Sequence, residues 1–344
     1  HVRDQFPILQ QTLPKGLPVT FLDTAASAQK PQCVIDREAE VYERFYANAY
    51  RGVYRFGAEG DEQLEGTRDS IRQLINAEHA SDIAFTAGAT LSLNMIALGW
   101  QSQLQAGDEI VISLLEHHAN LVPWQVLAQR TGAVLKYLPL TATGELDLAE
   151  CAAVISPRTR VVAVTGMSNV LGTLPPLAEL ATLAHQAGAI FVVDAAQSVP
   201  HLPTDVQQLG IDFLACSGHK LYGPSGVGFL YGRPDLLARL DPIVFGGHMI
   251  DRVEQQASTW TAAPARFEAG TLPIAPAIAL RTAIEFLQQV GFPAVHAHEL
   301  ELTRHAHERL SQIPGVHIYG PPPERKGAIV TFTMAGAAAE DIAH

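Results

Sequence analysis

The sequence predicts an α/β protein in which a large domain carries a mostly parallel sheet flanked by helices, with a smaller α+β domain at its C-terminal side. Two observations indicate this architecture. Short apolar runs alternate with helical stretches over residues 82–217, as parallel strands joined by helical crossovers do. From about residue 271 the pattern changes to two long helices and two further strand candidates. We therefore expect an N-terminal segment over 1–30 that packs with the small domain, a large domain over 31–270 and the small domain over 271–344.

Composition supports a globular protein and excludes two classes of partner. The chain has 344 residues, of which 47% are hydrophobic and 17% charged, and this is too apolar for a disordered chain. Its longest apolar runs stop at charged residues, well short of a membrane span. A net charge of −12 repels phosphate backbones over most of the surface. We expect neither a membrane nor a nucleic acid as partner.

Two helices are predicted ahead of the first strand. The first opens at Pro31, a favoured helix-start residue, and runs through VIDREAEVYERFYA. The second covers residues 61–76. Helical periodicity places an apolar side on the first helix; its members are Val34, Ala39, Val41, Tyr42 and Phe45.

Seven strand candidates follow, and the last differs from the others in its connection. Six are joined by long helical stretches: 82–86, 109–114, 133–138, 160–166, 189–195 and 212–217. The seventh, 226–232, comes too soon after the sixth for a helical crossover, so we expect it to run antiparallel to it. In the small domain we predict helices over Ile274–Val290 and 294–312 and strands over 316–320 and 327–333.

The cysteines and the two ends of the sequence suggest a location and an incomplete chain. Cys33, Cys151 and Cys216 are an odd number without CxxC spacing, which argues against a disulfide framework or a zinc ribbon and favours a reducing cytoplasm. The start HVRDQFPIL shows no signal-peptide pattern. The end AGAAAEDIAH has the pattern of a helix that is just beginning, so we expect the natural chain to continue.

Polar side chains stand directly after most of the predicted strands. In open parallel sheets, ligands bind at the carboxyl ends of the strands. Alone, each residue has an ordinary explanation, since a lone lysine is usually a solvated charge and adjacent histidines are poor ligands for one metal. As a set they predict a single site. The set consists of Thr90, His117, His118, Asn169, Asp194, Gln197, Ser217, His219 and Lys220.

The chemistry of this set suits an aldehyde cofactor that has a ring nitrogen and a phosphate. Such a cofactor needs a lysine to hold the aldehyde, a carboxylate beside the ring nitrogen, a phosphate cradle and a flat group above the ring. Asp194 would keep the ring nitrogen protonated, which makes the ring an electron sink. Lys220 would hold the aldehyde and then carry protons once substrate has displaced it. The 26-residue interval between them spans one helix-and-strand step and permits both to reach one ligand.

The remaining roles follow from the same cofactor. The turn at Gly88 leads into a helix whose free N–H groups suit a phosphate. We assign the phosphate also to the side chains of Thr90, Ser217 and His219. Gln197 would bind the hydroxyl oxygen of the ring, and the imidazole of His117 would stack on the ring face. The site therefore has one candidate residue for every part of the cofactor.

Six stretches of the sequence also carry a resemblance to a known family. They are FLDTAASAQKP (21–31), EHHANLVPW (116–124), MSNVLGTLPPL (167–177), VDAAQSVPH (193–201), DFLACSGHKLYGPSGVGFLYG (212–232) and RFEAGT (266–271). Together they resemble the class V aminotransferase-fold family, and within it the SufS-type, or group II, cysteine desulfurases. The resemblance covers almost the whole chain. It implies the fold type I of transferases that depend on pyridoxal 5′-phosphate.

The resemblance implies a reaction and partners. L-cysteine would be converted to L-alanine, and its sulfur would pass as a persulfide to a scaffold or carrier protein for iron–sulfur cluster assembly. Lys220, His117 and Asp194 would be the catalytic residues. Ala89 and Asn169 would join the cofactor-binding residues, and Arg51 and Asn169 would contact substrate. A homodimer is implied as well, in which Thr271 reaches the phosphate at the neighbouring subunit's site.

Three features depart from the family pattern. Ala89 stands where a second threonine is usual, and Tyr50 stands where the family has the histidine of HRG, while Arg51 matches. The RxGHHC-like motif with its nucleophilic cysteine, and the substrate-binding arginine that follows it, do not occur. We expect the nucleophilic cysteine to lie beyond His344. Cys216 is a poor substitute because strand alternation turns it into the core, where thiols are inert.

Two alternatives remain open at this point. On the same cofactor, the reaction could be selenocysteine lysis or cysteine C–S lysis, which the same residues would serve. The chain could instead be a non-catalytic partner that keeps the fold as a binding platform. The complete set of lysine, aspartate and phosphate-binding residues favours an enzyme, since a platform does not need it.

Overall fold

A seven-stranded sheet lies at the centre of the computed structural model, which describes residues 2–343. The strand order is β1-β7-β6-β5-β4-β2-β3. β2 to β6 run parallel to one another, and β7 is antiparallel to both β6 and β1. The strands are β1 (Ile83–Thr86), β2 (Glu109–Ser113), β3 (Val134–Leu138), β4 (Thr159–Thr165), β5 (Ile190–Asp194), β6 (Phe213–Ser217) and β7 (Gly228–Gly232).

The predicted fold class is therefore confirmed, and so is the one antiparallel connection predicted next to β6. Ser217 pairs with Gly228, and Phe213 pairs with Gly232. Only ten residues separate β6 from β7, which a reversal of the chain can bridge but a helical crossover cannot. A short hairpin of β8 (Ile250–Val253) and β9 (Ser258–Trp260) was not predicted. Its side chains are mostly exposed, so its sequence lacks the apolar alternation of a half-buried strand.

Helices cover both faces of the sheet, and ten α-helices occur in residues 2–343. They are α1 (Gln32–Arg44), α2 (Arg55–Ile75), α3 (Ala89–Gly99), α4 (Val122–Thr131), α5 (Leu148–Val154), α6 (Leu177–Gln186), α7 (Pro234–Leu237), α8 (Ile274–Val290), α9 (Phe292–Ser311) and α10 (Ala339–Ala343). Among them, none combines the length and apolar character that crossing a bilayer requires. α2 begins six residues before the predicted start at 61.

The predicted apolar side of α1 is right in part. Val34, Val41 and Phe45 are buried, but Ala39 and Tyr42 are exposed. The buried positions follow intervals of seven and four residues, which keep one side of a 3.6-residue helix, and Tyr42 is one position too far around it. Its ring packs instead against Tyr46 on the outer surface, with 5.2 Å between the ring centroids. Their contact keeps an aromatic pair outside the core.

The core consists of two apolar layers, one on each face of the sheet. Alternate strand residues enter opposite layers, as the pleat requires; Val193 and Cys216 lie in one, and Val192 and Ala215 in the other. Cys216 is fully buried, which confirms the orientation predicted from alternation. Because β4, β5 and β6 are covered on both faces, only their ends are open to a ligand.

The C-terminal part combines α8 and α9 with a hairpin of β10 (Val316–Tyr319) and β11 (Thr331–Met334). α8 packs on α1 and α2, and most of its buried apolar residues belong to the core layer that contains Val193. The hairpin contacts the segment after β4, since Gly327 N donates to Gly172 O at 2.8 Å and Lys326 pairs with Thr173. At the other end of the chain, Phe6 packs edge-on against Phe286 of α8. The boundary near residue 271 stays a prediction.

Candidate active site

A cavity of about 420 Å³ opens at the carboxyl ends of β4, β5 and β6. Each of these strands ends in a residue that lines it, namely Thr165, Asp194 and Ser217. Nine of the predicted site residues meet in this cavity. They are Ala89, Thr90, His117, Asn169, Asp194, Gln197, Ser217, His219 and Lys220.

Asp194 supplies a carboxyl group at the floor of the cavity. It is the last residue of β5 and is 4% exposed. Burial raises the pKa of its carboxyl, while a hydrogen bond from Ala196 N (3.0 Å) and the charges of Lys220 and His117 favour ionisation. A buried carboxyl with one backbone donor keeps lone pairs free. It is suited to accept a hydrogen bond from a protonated ring nitrogen.

Lys220 supplies an amine near this carboxyl. It ends a turn, Gly218–Lys220, that follows β6 directly. Burial lowers the pKa of its ammonium group, and the charge of Asp194 opposes that shift. The lowered pKa increases the fraction of neutral amine at a given pH, and the neutral amine is the form that attacks an aldehyde.

The start of α3 forms a cradle at another side of the cavity. Gly88 precedes the helix with a φ of 140°, and no side chain caps the helix there. A Cβ on Gly88 would lie 3.2 Å from Ser217 Oγ, and a Cβ on Gly228 would lie 2.6 Å from Gly88 Cα. Ser217 Oγ accepts from Ala89 N at 2.8 Å. With Thr90 exposed beside it, this helix start presents N–H and hydroxyl groups, the donors that a phosphate requires.

His219 and Gln197 are held by a segment ahead of α1 that the sequence analysis assigned to no part of the site. His219 Nδ1 lies 3.1 Å from Ser27 Oγ, and His219 O accepts from Lys30 Nζ at 2.9 Å. Gln197 Nε2 donates to Ala25 O at 2.7 Å. The cavity wall contains further residues not singled out from the sequence: Ala25, Ala26, Ala119, Thr165, Met167 and Ala196. The stretch FLDTAASAQKP, recognised only for its resemblance, was the available signal for residues 25 and 26.

His117 lies at the rim, where its ring orientation is fixed by the backbone. It caps the turn His118–Asn120, and its Nδ1 accepts from Ala119 N at 3.1 Å. The proton of the neutral imidazole is therefore on Nε2. Burial and the charge of Lys220 lower the pKa of His117. His118 lines an adjoining cavity of about 290 Å³ and does not line the first.

Arg51 and Thr271 are exposed and lie outside the cavity of their own chain. A Cβ on Gly247 would lie 2.9 Å from an Arg51 guanidinium nitrogen, so the Arg51 side chain extends to the backbone at Gly247. Tyr50, the departure from the family pattern, does not line the cavity either. Its ring stacks on His248 at 4.8 Å, and its hydroxyl donates to Glu65.

The three cysteines are all away from the cavity lining. Burial raises the pKa of the Cys216 thiol to about 12 and that of Cys151 to about 11. Cys33 is exposed on α1. Within residues 2–343, no group of three or more His, Cys, Asp and Glu side chains is arranged to hold a metal ion.

The donor set fits one kind of cofactor. The buried carboxyl of Asp194 suits a protonated ring nitrogen, the amine of Lys220 an aldehyde, and the start of α3 with Ser217 a phosphate. The φ of 140° at Gly88 and the 3.2 Å that would separate a Cβ there from Ser217 Oγ both favour glycine at the start of α3. Together with the fold, these groups define the site of an enzyme that uses pyridoxal 5′-phosphate.

Comparisons with known proteins identify the family. Residues 20–344 match the model of the aminotransferase class-V family. A probable cysteine desulfurase of Halalkalibacterium halodurans is 43% identical over 343 residues, which cover 99% of this chain and 84% of that protein. The chain belongs to the aminotransferase class-V family, whose cofactor is pyridoxal 5′-phosphate.

Solved structures agree with this assignment. The cysteine desulfurase CsdA of Escherichia coli has a TM-score of 0.91 and 39% identity, covering 99% of this chain and 83% of that one. The apo cysteine desulfurase of Thermococcus onnurineus NA1 has the same TM-score at 34% identity, covering 99% and 84%.

Proposed function

We propose that this protein is a cysteine desulfurase that depends on pyridoxal 5′-phosphate and converts L-cysteine to L-alanine. The observation that supports this most is the meeting of Lys220, Asp194 and His117 in one cavity at the sheet's carboxyl edge. The 43% identity to a probable cysteine desulfurase over 99% of the chain points to the same substrate. The sulfur leaves as a persulfide on a protein thiol.

The three residues divide the proton chemistry among them. When bound, the cofactor supplies an electron sink for the α carbon of the substrate. Asp194 holds the proton at the ring nitrogen, because its buried carboxyl has free lone pairs. Lys220 would hold the aldehyde, and its amine of lowered pKa is suited to accept the α proton of the substrate. His117 would lie over the ring, and its neutral imidazole carries a proton on Nε2.

The phosphate and the substrate are assigned to the remaining residues. Thr90, Ser217 and His219, with the backbone at Ala89, bind the phosphate, and Gln197 binds the ring hydroxyl with the N–H that Ala25 leaves free. Asn169 contacts cofactor and substrate from the segment after β4.

We further propose a homodimer in which Arg51 and Thr271 complete the site of the neighbouring subunit. Both are exposed and lie outside the cavity of their own chain. Thr271 would add a hydroxyl to the phosphate site, where Ala89 has none. Arg51 would contact the substrate carboxylate, for which an arginine is the matching donor.

The thiol that receives the sulfur is none of the three visible cysteines. Cys216 and Cys151 are buried with raised pKa values, and Cys33 is exposed on α1 and does not line the cavity. A thiolate is the reactive form, and both buried groups disfavour it. The acceptor of the persulfide is a scaffold or carrier protein of iron–sulfur cluster assembly. Three free thiols favour the reducing cytoplasm as the place of reaction.

The test is the product balance of the complete gene product with L-cysteine and a reductant. Equal amounts of alanine and sulfide support desulfuration. Pyruvate and ammonia in place of alanine would show C–S lysis, and turnover of selenocysteine alone would show a selenocysteine lyase. Lys220→Ala is the matched control, and we expect it to lose at least about 10³-fold in rate. A wild-type protein that binds the cofactor and turns over none of these substrates would indicate a binding platform.

A further inference from the structure

The carboxyl group of Glu116 lies next to His117 and is absent from every role assigned so far. Three donors surround it. Its Oε1 accepts from Thr165 N at 2.9 Å and from Ser113 Oγ, and its Oε2 accepts from Asn120 Nδ2 at 2.6 Å. No cation pairs with it among the described residues.

These donors come from three different elements. Ser113 ends β2, Thr165 ends β4, and Asn120 ends the turn that His117 caps. Thr165 lines the cavity and is the register partner of Asp194 on β5. The Glu116 side chain therefore ties the loop that carries His117 to the strand end beside Asp194.

Asn120 has a fixed orientation in this network. It is fully buried, its Oδ1 accepts from Trp124 Nε1 at 2.8 Å, and its backbone N donates to His117 O at 2.8 Å. Since the Oδ1 faces Trp124, the amide nitrogen of Asn120 must face Glu116. An acceptor is required at that position, and a glutamine amide nitrogen there would oppose another donor.

Burial of the Glu116 carboxyl group opposes its ionisation. Burial raises the pKa of Glu116 to about 8, and the charge of Asp194 adds to this, although three donors favour the ionised form. A carboxyl that only filled space would be replaceable by an apolar side chain of similar volume. The position of these donors around a loop that enters the cavity points to a role in the site.

We propose that Glu116 is a positioning residue that sets the height and tilt of the His117 ring over the bound cofactor. The inference rests on the proposed function in one respect, the stacking of His117 on the cofactor ring. Glu116 does not touch substrate or cofactor. It acts by fixing the loop at Thr165 and Asn120, and the Ala119 N–H to Nδ1 then fixes the imidazole.

The decisive variants change the polarity of the network while keeping its shape. Glu116→Gln places an amide nitrogen against Asn120 Nδ2. Adding Asn120→Asp restores a donor–acceptor pair, with the other carboxylate oxygen still accepting from Trp124. We expect Glu116→Gln to shift the absorption maximum of the bound cofactor and to weaken cofactor binding about tenfold, the size of one or two lost hydrogen bonds. The double variant should recover to within about threefold.

The matched control is Glu109→Gln. It removes a buried carboxylate at the start of β2, the strand that precedes Glu116. It should leave both the absorption maximum and the cofactor dissociation constant unchanged. An equal shift in this control, or no shift in Glu116→Gln, overturns the proposal. If Glu116→Gln does not fold, Ser113→Ala removes one donor and keeps the carboxyl. It should shift the same band by a smaller amount, and an unchanged band overturns the proposal.

A cycle with His117→Ala separates this inference from the proposed function. If Glu116 acts through His117, then Glu116→Gln has no further effect on band or affinity in the His117→Ala background. Additive effects would mean that Glu116 acts elsewhere, and the inference would be wrong. If His117→Ala alone leaves the band unchanged, the stacking role fails instead, which is a failure of the proposed function.

Discussion

Glu109 and Glu116 flank the two ends of β2, and their carboxyl groups face the interior in very different company. Lys136 Nζ lies 2.8 Å and Arg158 Nη2 3.0 Å from Glu109 Oε1. Burial alone would raise the pKa of Glu109, but hydrogen bonds from Lys136 and Ser156 outweigh it and lower the pKa to about 2. Glu116 has only neutral donors and the nearby charge of Asp194, and its pKa is raised to about 8.

The difference in charged partners shows that the two edges of the sheet serve different purposes. At the amino edge, a buried carboxylate is neutralised by cations and serves stability. At the carboxyl edge, Glu116 and Asp194 have no cation in hydrogen-bonding contact. Asp194 lines the cavity, where its carboxyl can pair with a ligand, whereas Glu116 binds the surrounding loop and strand end. The following changes separate these two uses, beginning with the largest expected effect.

Asp194→Asn should reduce alanine formation by about 10³-fold, because the amide cannot hold a proton at the ring nitrogen. Stability should stay equal or rise, since a buried unpaired charge disappears. The measurements are alanine release and urea unfolding of the cofactor-free protein. A large loss of stability with unchanged turnover per folded molecule would contradict the comparison.

Glu109→Gln should lower stability and leave turnover nearly unchanged, the reverse of Asp194→Asn. It leaves Lys136 and Arg158 without their anion, and we expect a loss of about 3 kcal/mol in the free energy of unfolding. Turnover of the folded fraction should stay within about twofold, because the residue is at the far end of β2 from the cavity. Glu285→Gln, which breaks an exposed pair with Arg281, is the control and should cost at most about 0.5 kcal/mol.

The two carboxyls should also give opposite pH dependences of stability. Glu109 has a lowered pKa, so its contribution is present above its ordinary value of 4.5 and is lost as the pH falls towards 2. Glu116 has a raised pKa, so its contribution is full below 4.5 and is lost as the pH rises through 8. Unfolding free energies of wild type and Glu116→Gln, measured from pH 5 to 9, should show the wild type losing stability relative to the variant. A constant difference would exclude the raised pKa.

Tyr50→Phe should have the smallest effect. The hydroxyl of Tyr50 donates to Glu65 and accepts from Arg68, which pairs with Glu268 in a buried site away from the cavity. Loss of these bonds should lower stability by about 1 kcal/mol and leave turnover within about twofold. Tyr42→Phe on the exposed side of α1 is the control, with no measurable change. A strong loss of turnover would place Tyr50 in the site of a neighbouring subunit.

The sequence predicted those parts of the fold that depend on local periodicity. The apolar runs of β4, β5 and β6 are buried on both faces, so their ends could be located and Asp194 and Ser217 found there. The hairpin of β8 and β9 could not be predicted, because its mostly exposed side chains show no apolar alternation.

Site residues that depend on contacts between distant parts of the chain could not be predicted from the sequence. Ala25 enters the cavity wall through a contact with Gln197, 172 residues away, from a segment without regular secondary structure. Glu116 was not singled out from the sequence, because its neighbours Thr165 and Asn120 are brought to it only by the sheet and the turn. Arg51 and Thr271 are exposed, and one chain offers them no partner in the cavity.

The contact between the C-terminal hairpin and the segment after β4 links the hairpin to the cavity wall. Gly327 N donates a hydrogen bond to Gly172 O, and the backbone of Lys326 forms an isolated β-bridge with that of Thr173. Asn169 lies in the same short segment and forms part of the cavity wall. The orientation of the C-terminal hairpin would therefore influence the position of the cavity wall at Asn169.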